Sequence, residues 1–333
     1  MRLSVLDQSV AVAGRSEADA IRESLALAGH CEALGYHRFW VSEHHNLPTI
    51  VGTAPEILMA AIAATTRRIR IGSAGVMLPH YSAFKVAEQF RVLEALAPGR
   101  IDLGVGRAPG GDMRTARALN PNAHASADDF PEQVRDLQAW TALPVHEGIT
   151  AHPRGEHAPE LWILGSSNYG AQLAAHFGLP YAYAYFFVDG QGADEALALY
   201  RRLYRASERH PRAQATVCVW ALAADTFEVA THNALGRERW RVDRARGVLG
   251  PLEAPEAIAA RGFTADEWPT VEAMRRKAFV GSGAQVADQL RALAKELDLD
   301  EIVINTWAHD ASVRRRSYAL LAGEFALAPC VAP

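Results

Sequence analysis

Short apolar runs of four to eight residues alternate with longer segments of helical spacing along nearly the whole chain. Eight runs read as strands, at 3–7, 39–42, 69–76, 101–105, 161–164, 181–187, 216–221 and 302–305. Between them, apolar residues recur three and four positions apart at 17–34, 53–66, 82–97, 128–142, 193–207 and 285–297, and a last helical pattern at 310–327 closes the chain. Pro98 and Gly99 stop the third of these helices, since proline cannot continue a helix and glycine accepts the left-handed turn that ends one. Strict strand–helix alternation predicts βα units around a parallel sheet. Two doubly wound domains would also alternate, but no linker-like or low-complexity stretch divides the chain. The expected fold is therefore α/β, a (β/α)8 TIM barrel in one domain over residues 1–333, with a long insertion after the seventh strand.

That insertion, around 225–283, carries the arginine-rich GRERWRVDRARG and is expected to serve as a lid or as a plain helical insertion, its charge run forming a solvated face. The second helix, TAPEILMAAIAATT, is apolar almost all round. A helix without a polar stripe needs cover on more than one side, which predicts a subunit interface and a homodimer.

Composition narrows the function classes. A formal charge of −4 argues against a phosphate-neutralising or lipid-binding surface, so neither nucleic acid nor membrane is expected as a partner. Cys31, Cys218 and Cys330 are odd in number and far apart, which suits reduced thiols in a cytoplasmic protein. Cys31 continues the helical spacing of Ala18, Ile21, Leu25 and Ala28 and reads as a packing residue. The first residues lack a signal-like apolar stretch, and no apolar run approaches the ~20 residues that cross a bilayer.

In a barrel, groups at the C-terminal ends of different strands converge on one pocket. The second strand ends in Glu43, His44 and His45, the third in Ala74-Gly75, the fourth in Gly106-Arg107, the fifth in Gly165-Ser166-Ser167 and the eighth in Asn305-Thr306. A guanidinium at a strand tip among glycines suits capture of a carboxylate or phosphate, with an internal ion pair to a barrel carboxylate as the alternative for Arg107. The Gly104-x-Gly106 pattern is no dinucleotide fingerprint, because Pro109 stands where its third glycine belongs. Ser166, Ser167 and the N–H groups of the helix beginning near Tyr169 form an anion site, although Ser167 also fits an ordinary N-cap. Together with Arg107 they describe a pocket for one phosphate. Adjacent strand residues point to opposite faces, so His44 and His45 do not share a metal ion easily, and no metal is expected. A neutral histidine suits proton transfer, which makes His44 the candidate base.

FWVSEHHNLP, IRIGSAGVMLPHY, GRIDLGVGR and WILGSSNYGAQLAAHFGLP resemble, in order and spacing, segments of the bacterial luciferase-like flavin-dependent monooxygenase family. FVGSGAQVADQL and the last strand extend the resemblance, which is nearer to the single-subunit-type oxidoreductase branch than to light-emitting subunits. The resemblance implies a TIM barrel that binds reduced FMN and dimerises through its second and third helices. It carries the flavin-proximal histidine onto His44, with Glu43 and His45 beside it. Phosphate contacts fall on Arg107, Ser167 and the N–H groups around Gly170, with Gly165, Ser166 and Tyr169 in the same turn. A non-prolyl cis peptide is implied at Ala74-Gly75 under the flavin ring, with Leu164 against the isoalloxazine. Gly170 stands where many relatives have a hydroxyl residue, and Gly106 replaces a cysteine of luciferase subunits.

The implied activity is a two-component monooxygenase. A separate flavin reductase supplies reduced FMN, and O2 is used to oxygenate a small organic substrate. A deazaflavin-dependent hydride-transfer oxidoreductase and a non-catalytic flavin-binding protein are the alternatives. A metal-dependent barrel hydrolase is disfavoured, because Asp7-Gln8-Ser9 stands where His-x-His would end the first strand.

Overall fold

In the computed structural model, residues 1–107, 112–122, 127–142 and 145–328 are described; Pro109, Cys330 and part of the connection after Arg107 lie outside them. The strands are β1 (Arg2–Asp7), β2 (Arg38–Val41), β3 (Arg70–Met77), β4 (Ile101–Gly106), β5 (Glu160–Gly165), β6 (Tyr181–Tyr183), β7 (Ala215–Ala224), β8 (Phe279–Ser282) and β9 (Glu301–Asn305). Their pairings are all parallel, and β6 pairs with β7, so β1 to β7 and β9 close into an eight-stranded barrel. The predicted barrel is present. The extra strand, β8, hydrogen-bonds to the far end of β7 outside the barrel wall.

The helices are α1 (Glu17–Leu34), α2 (Pro55–Thr65), α3 (Ala83–Leu96), α4 (Met113–Leu119), α5 (Phe130–Ala142), α6 (Asn168–Phe177), α7 (Ala193–Leu203), α8 (Phe227–Ala245), α9 (Pro255–Arg261), α10 (Trp268–Arg276), α11 (Gly283–Glu296) and α12 (Ala311–Glu324). Local chemistry sets their ends. Ser16 and Asp19 form a reciprocal capping box at the start of α1, and Gly35 ends it with φ 87°. A Cβ on Gly35 would overlap the carbonyl oxygen of Ala328, so only glycine allows the C-terminal segment to cross there.

Strand alternation sorts the residues into an outer face packed on helices and an inner face filling the barrel. Register pairs Leu6 with Trp40, Trp40 with Gly72, Asp102 with Glu160, Gly104 with Trp162, and Cys218 with Val303, which assigns these residues to the inside. The interior lies in three tiers. The lowest is ionic: Arg38 Nη1 donates to Asp102 at 2.9 Å and to Glu160 at 3.3 Å, and its Nε donates to Glu301 at 2.9 Å. Arg70 and the Trp40 indole also donate to Asp102, and Ser4 donates to Glu301. With its partners in place the buried charge is compensated, and the lower end is sealed.

The middle tier is apolar, with Leu6, Trp40, Trp162, Ala182, Cys218 and Val303, and Trp40 meets Trp162 edge-to-face at 5.2 Å. Gly72 and Gly104 make room beside these rings. A Cβ on Gly104 would overlap the Ser73 carbonyl oxygen. The upper tier is divided. On one side stand the small residues Ser42, Ala74 and Gly106, and on the other the bulky Trp220, aligned with Asn305. The upper interior is therefore lined by smaller side chains over β2 to β4 than over β7.

Candidate active site at the barrel mouth

The tip of β2 carries a hub. Glu43, 2% exposed, accepts from the Tyr81 hydroxyl at 2.6 Å, from the Met77 N–H at 3.0 Å and from the His45 ring Nε2 at 2.8 Å. One buried carboxylate thus ties β2 to the end of β3. His44 turns the other way. Its Nδ1 meets Ser42 Oγ at 3.2 Å, on the inward side of the strand, and its N–H donates to the Gly52 carbonyl at 3.0 Å. Burial pushes the His44 pKa down to about 4 against an upward pull from Glu43; the Arg244 charge on α8 adds to the fall. His44 is therefore neutral at physiological pH, and its Nε2 makes no hydrogen bond among the described residues. Burial and the hydrogen bond to Glu43 hold the Tyr81 hydroxyl protonated far above its ordinary range.

At β3 the Ala74–Gly75 peptide bond is cis, as the resemblance implied. Register with β4 slips there by one residue, between Ser73 and Val76, forming a bulge that turns Ala74 toward the interior cluster. Leu164 closes over this bulge from β5: a Cβ on Gly75 would overlap its Cδ1, and one on Gly104 would lie 3.1 Å from the same atom. Ala74, Gly75 and Leu164 thus form one apolar platform.

Beside it, Arg107 leaves the tip of β4 and lies over the Tyr169 ring, Cζ to centroid 4.1 Å. Tyr169 is the second residue of α6, so the guanidinium stands against that helix's first turn. Among the described residues Arg107 makes no ion pair or hydrogen bond, and the hydroxyls of Ser166 and Ser167 are likewise unengaged. Ser167 is the N-cap by backbone geometry, with φ −156° and ψ 168°, but its side chain does not cap. The positive end of the helix dipole, two free hydroxyls and one free guanidinium therefore share a corner, which is the donor set an anion requires. Gly165 and Gly170 bring helix and strand into contact: their Cα atoms pack on each other and on Tyr181, and a Cβ on Gly170 would lie 3.2 Å from the Tyr181 ring. The glycine at 170 is explained by packing.

Across the mouth, α8 packs on β7 and β8. Trp240 meets Trp307 at 4.8 Å, within a cluster that includes Val10, Ile50, Trp220 and Leu252. Arg244 lies between Phe187 and Trp240. The arginine-rich run is not the solvated face expected from sequence. Arg239 is buried and forked onto Glu267 with both contacts at 2.9 Å, and buried Glu238 is held by Arg275 at 2.7 Å. Sequence reasoning also missed Gln8, whose Oε1 accepts from Asn305 and from Trp307 at 3.0 Å where β1 lies beside β9, and the aromatic cluster, which depends on where α8 docks. Among the described residues no group of three or more His, Cys, Asp or Glu side chains is placed to hold a metal.

The tips of β2 to β5 thus place a histidine, an apolar platform and an anion-suited corner at the C-terminal end of a parallel α/β barrel, where barrel enzymes carry their sites. The sequence model of the luciferase-like monooxygenases matches residues 1–300. A luciferase-like monooxygenase of Escherichia coli (strain K12) is 38% identical over 319 residues, covering 95% of each chain. The N-acetyl-S-alkylcysteine monooxygenase of Bacillus subtilis (strain 168) is 36% identical, covering 96% of this chain and 97% of its own. The crystal structure of apo-MsnO8 superposes with a TM-score of 0.92 at 36% identity, covering 99% of both chains. The chain belongs to the luciferase-like monooxygenase family.

Proposed function

We propose that this chain is an FMN-dependent monooxygenase of the two-component kind, which takes reduced FMN from a separate reductase and uses O2 to oxygenate a small organic substrate. The observation that carries this reading is the corner where the unpaired Arg107 lies on Tyr169 beside the unengaged Ser166 and Ser167 hydroxyls. It suits one phosphate, and the apolar platform of Ala74, Gly75 and Leu164 suits a planar ring joined to it. A Cβ on Gly106 would meet nothing within 4 Å, which agrees with open room there.

When bound, reduced FMN supplies the two electrons that divide O2 between substrate and water. The chain's own residues do the rest. Arg107, Ser166, Ser167 and the first N–H groups of α6, near Tyr169 and Gly170, hold the phosphate, with Gly165 giving them close approach. The platform orients the ring, and Trp220, Trp240 and Trp307 exclude water. His44, neutral through burial, exchanges a proton at Nε2. Glu43, with His45, positions β2 against β3. The insertion containing α8, α9 and α10 acts as the lid of a single domain.

A homodimer through α2 and α3 belongs to the same proposal. A groove of about 430 Å³ between these helices is lined by Ile57, Ala60, Val92 and Leu96, and Ile57 is 67% exposed. Among the described residues no helix is long and apolar enough to cross a membrane.

The test is an anaerobic titration of the purified protein with reduced FMN and, in parallel, reduced deazaflavin. Selective FMN binding followed by substrate-dependent O2 uptake is expected. Selective deazaflavin binding with O2-independent turnover establishes hydride transfer instead. Flavin retention with no substrate-dependent turnover leaves a binding protein.

A further inference from the structure

The half of the mouth facing the anion corner contains a second, different cation. Arg237, on α8, lies with its Cζ 4.3 Å over the ring of Trp220. Trp220 is 5% exposed and belongs to the upper inward tier of β7, aligned with Asn305 of β9. In the closed order of eight strands β7 stands opposite β3, so Arg237 caps the wall across from the Ala74–Gly75 platform.

Its nearest charged neighbours on the helix are matched. Arg239 pairs with Glu267, Arg241 forks onto Asp189 with both contacts at 2.7 Å, and Glu238 takes Arg275. Arg237 and Arg244 are the arginines of this stretch with neither ion pair nor hydrogen bond among the described residues; Arg244 is exposed against Phe187 and Trp240, whereas Arg237 is partly buried. Burial pushes its pKa down to about 9, with the Arg241 charge adding to the fall and Asp189 opposing it. A desolvated guanidinium without an anion is costly, and stacking on one indole returns only about 0.5–2 kcal/mol. Around it the cluster of Val10, Ile50, Leu222, Trp240 and Trp307 is apolar. A charged head on Arg237 and a carbon body among these side chains would fill the space between this wall and the platform.

We infer that Arg237 is the substrate-binding cation of the pocket, and that the molecule oxygenated is an organic acid whose carboxylate it pairs with. This rests on the flavin-monooxygenase reading. The flavin phosphate belongs at β4 and β5, and Arg237 answers to a separate anion.

The experiment uses calorimetric titration of the full chain in the presence of FMN. Probes are hexanoate, phenylpropionate and N-acetyl-S-methylcysteine, each matched with its primary amide. At least one acid is expected to bind more tightly than its amide by on the order of ten- to a hundredfold, the range for one charge-assisted pair. Arg237→Gln is expected to bring that acid down to its amide's affinity while leaving the amide and FMN unchanged, and Arg237→Lys to fall between. Equal binding of acid and amide across the whole panel overturns the inference. So does an Arg237→Gln variant that weakens acid and amide alike. Failure of FMN to bind while acid selectivity persists overturns the flavin reading and leaves the carboxylate site standing.

Discussion

Removing the Glu43 side chain tests whether this carboxylate is a structural hub or a chemical group. In the folded protein it is 2% exposed and satisfies three donors: the Tyr81 hydroxyl, the Met77 N–H and His45. Glu43→Ala leaves all three without an acceptor in a site too buried for easy hydration. At about 1–2 kcal/mol for each stranded group, the variant should lose roughly 3–6 kcal/mol. Glu43→Gln should lose much less. With its oxygen kept toward Met77, the new NH2 donates to the Tyr81 oxygen and to His45, both of which can turn to accept. A cost under about 1 kcal/mol follows. Urea denaturation followed by tryptophan fluorescence reads both values, and turnover under saturating reduced flavin reads the second question. A hub predicts that Glu43→Gln keeps most activity while Glu43→Ala is crippled and destabilised. If the two variants unfold at the same urea concentration, the three-donor account is refuted. If Glu43→Gln is stable but inactive, the negative charge has a part in the chemistry.

Arg107→Ala should weaken FMN binding by roughly ten- to a hundredfold, since one charge-assisted contact is worth about 1.5–3 kcal/mol; unchanged affinity in a titration removes Arg107 from the phosphate corner. His44 offers a pH test. Its folded pKa of about 4 lies below the ordinary histidine value, so the stability it contributes is complete above about pH 6.5 and is lost as pH falls toward 4. Between pH 7 and pH 4 the wild type should lose on the order of 2 kcal/mol more than His44→Gln, measured by denaturant unfolding at each pH. Equal losses would show that His44 is not held neutral by the fold. Finally, Gly104→Ala drives a methyl into the Ser73 carbonyl and should cost about 2 kcal/mol or more, whereas Gly106→Ala two residues on meets nothing and should be silent in a thermal melt.

Much of this fold shows in the spacing of apolar residues, because each barrel strand is buried on both faces and flanked by an amphipathic helix. The runs that failed are instructive. Residues 181–187 look like one strand, yet β6 ends at Tyr183 and Tyr185–Phe187 form a 3₁₀ turn, since the barrel needs only three residues of pairing with β7. The four-residue β8 was missed because it is mostly half-exposed and pairs outside the barrel.

At the site, Glu43, His44, Arg107 and Ser167 were legible as polar residues at strand tips. The roles of Glu43 and Gly170 were not, since a three-donor hub and a helix–strand contact are long-range facts. The ionic tier left one signal unread: Arg38, Arg70, Asp102, Glu160 and Glu301 each occupy the first inward position of an otherwise apolar strand. Arg237 was hidden among four other arginines in its run, and only the docking of α8 on Trp220 singles it out.

The ionic tier also has a kinetic meaning. With Arg38, Arg70 and their carboxylates cross-linking five strands at one end, the barrel is a vessel with a single opening. A molecule that enters such an interior must leave by the mouth it came in by, so nothing can flow through and the last to enter obstructs those before it. Departure order is thereby imposed by architecture.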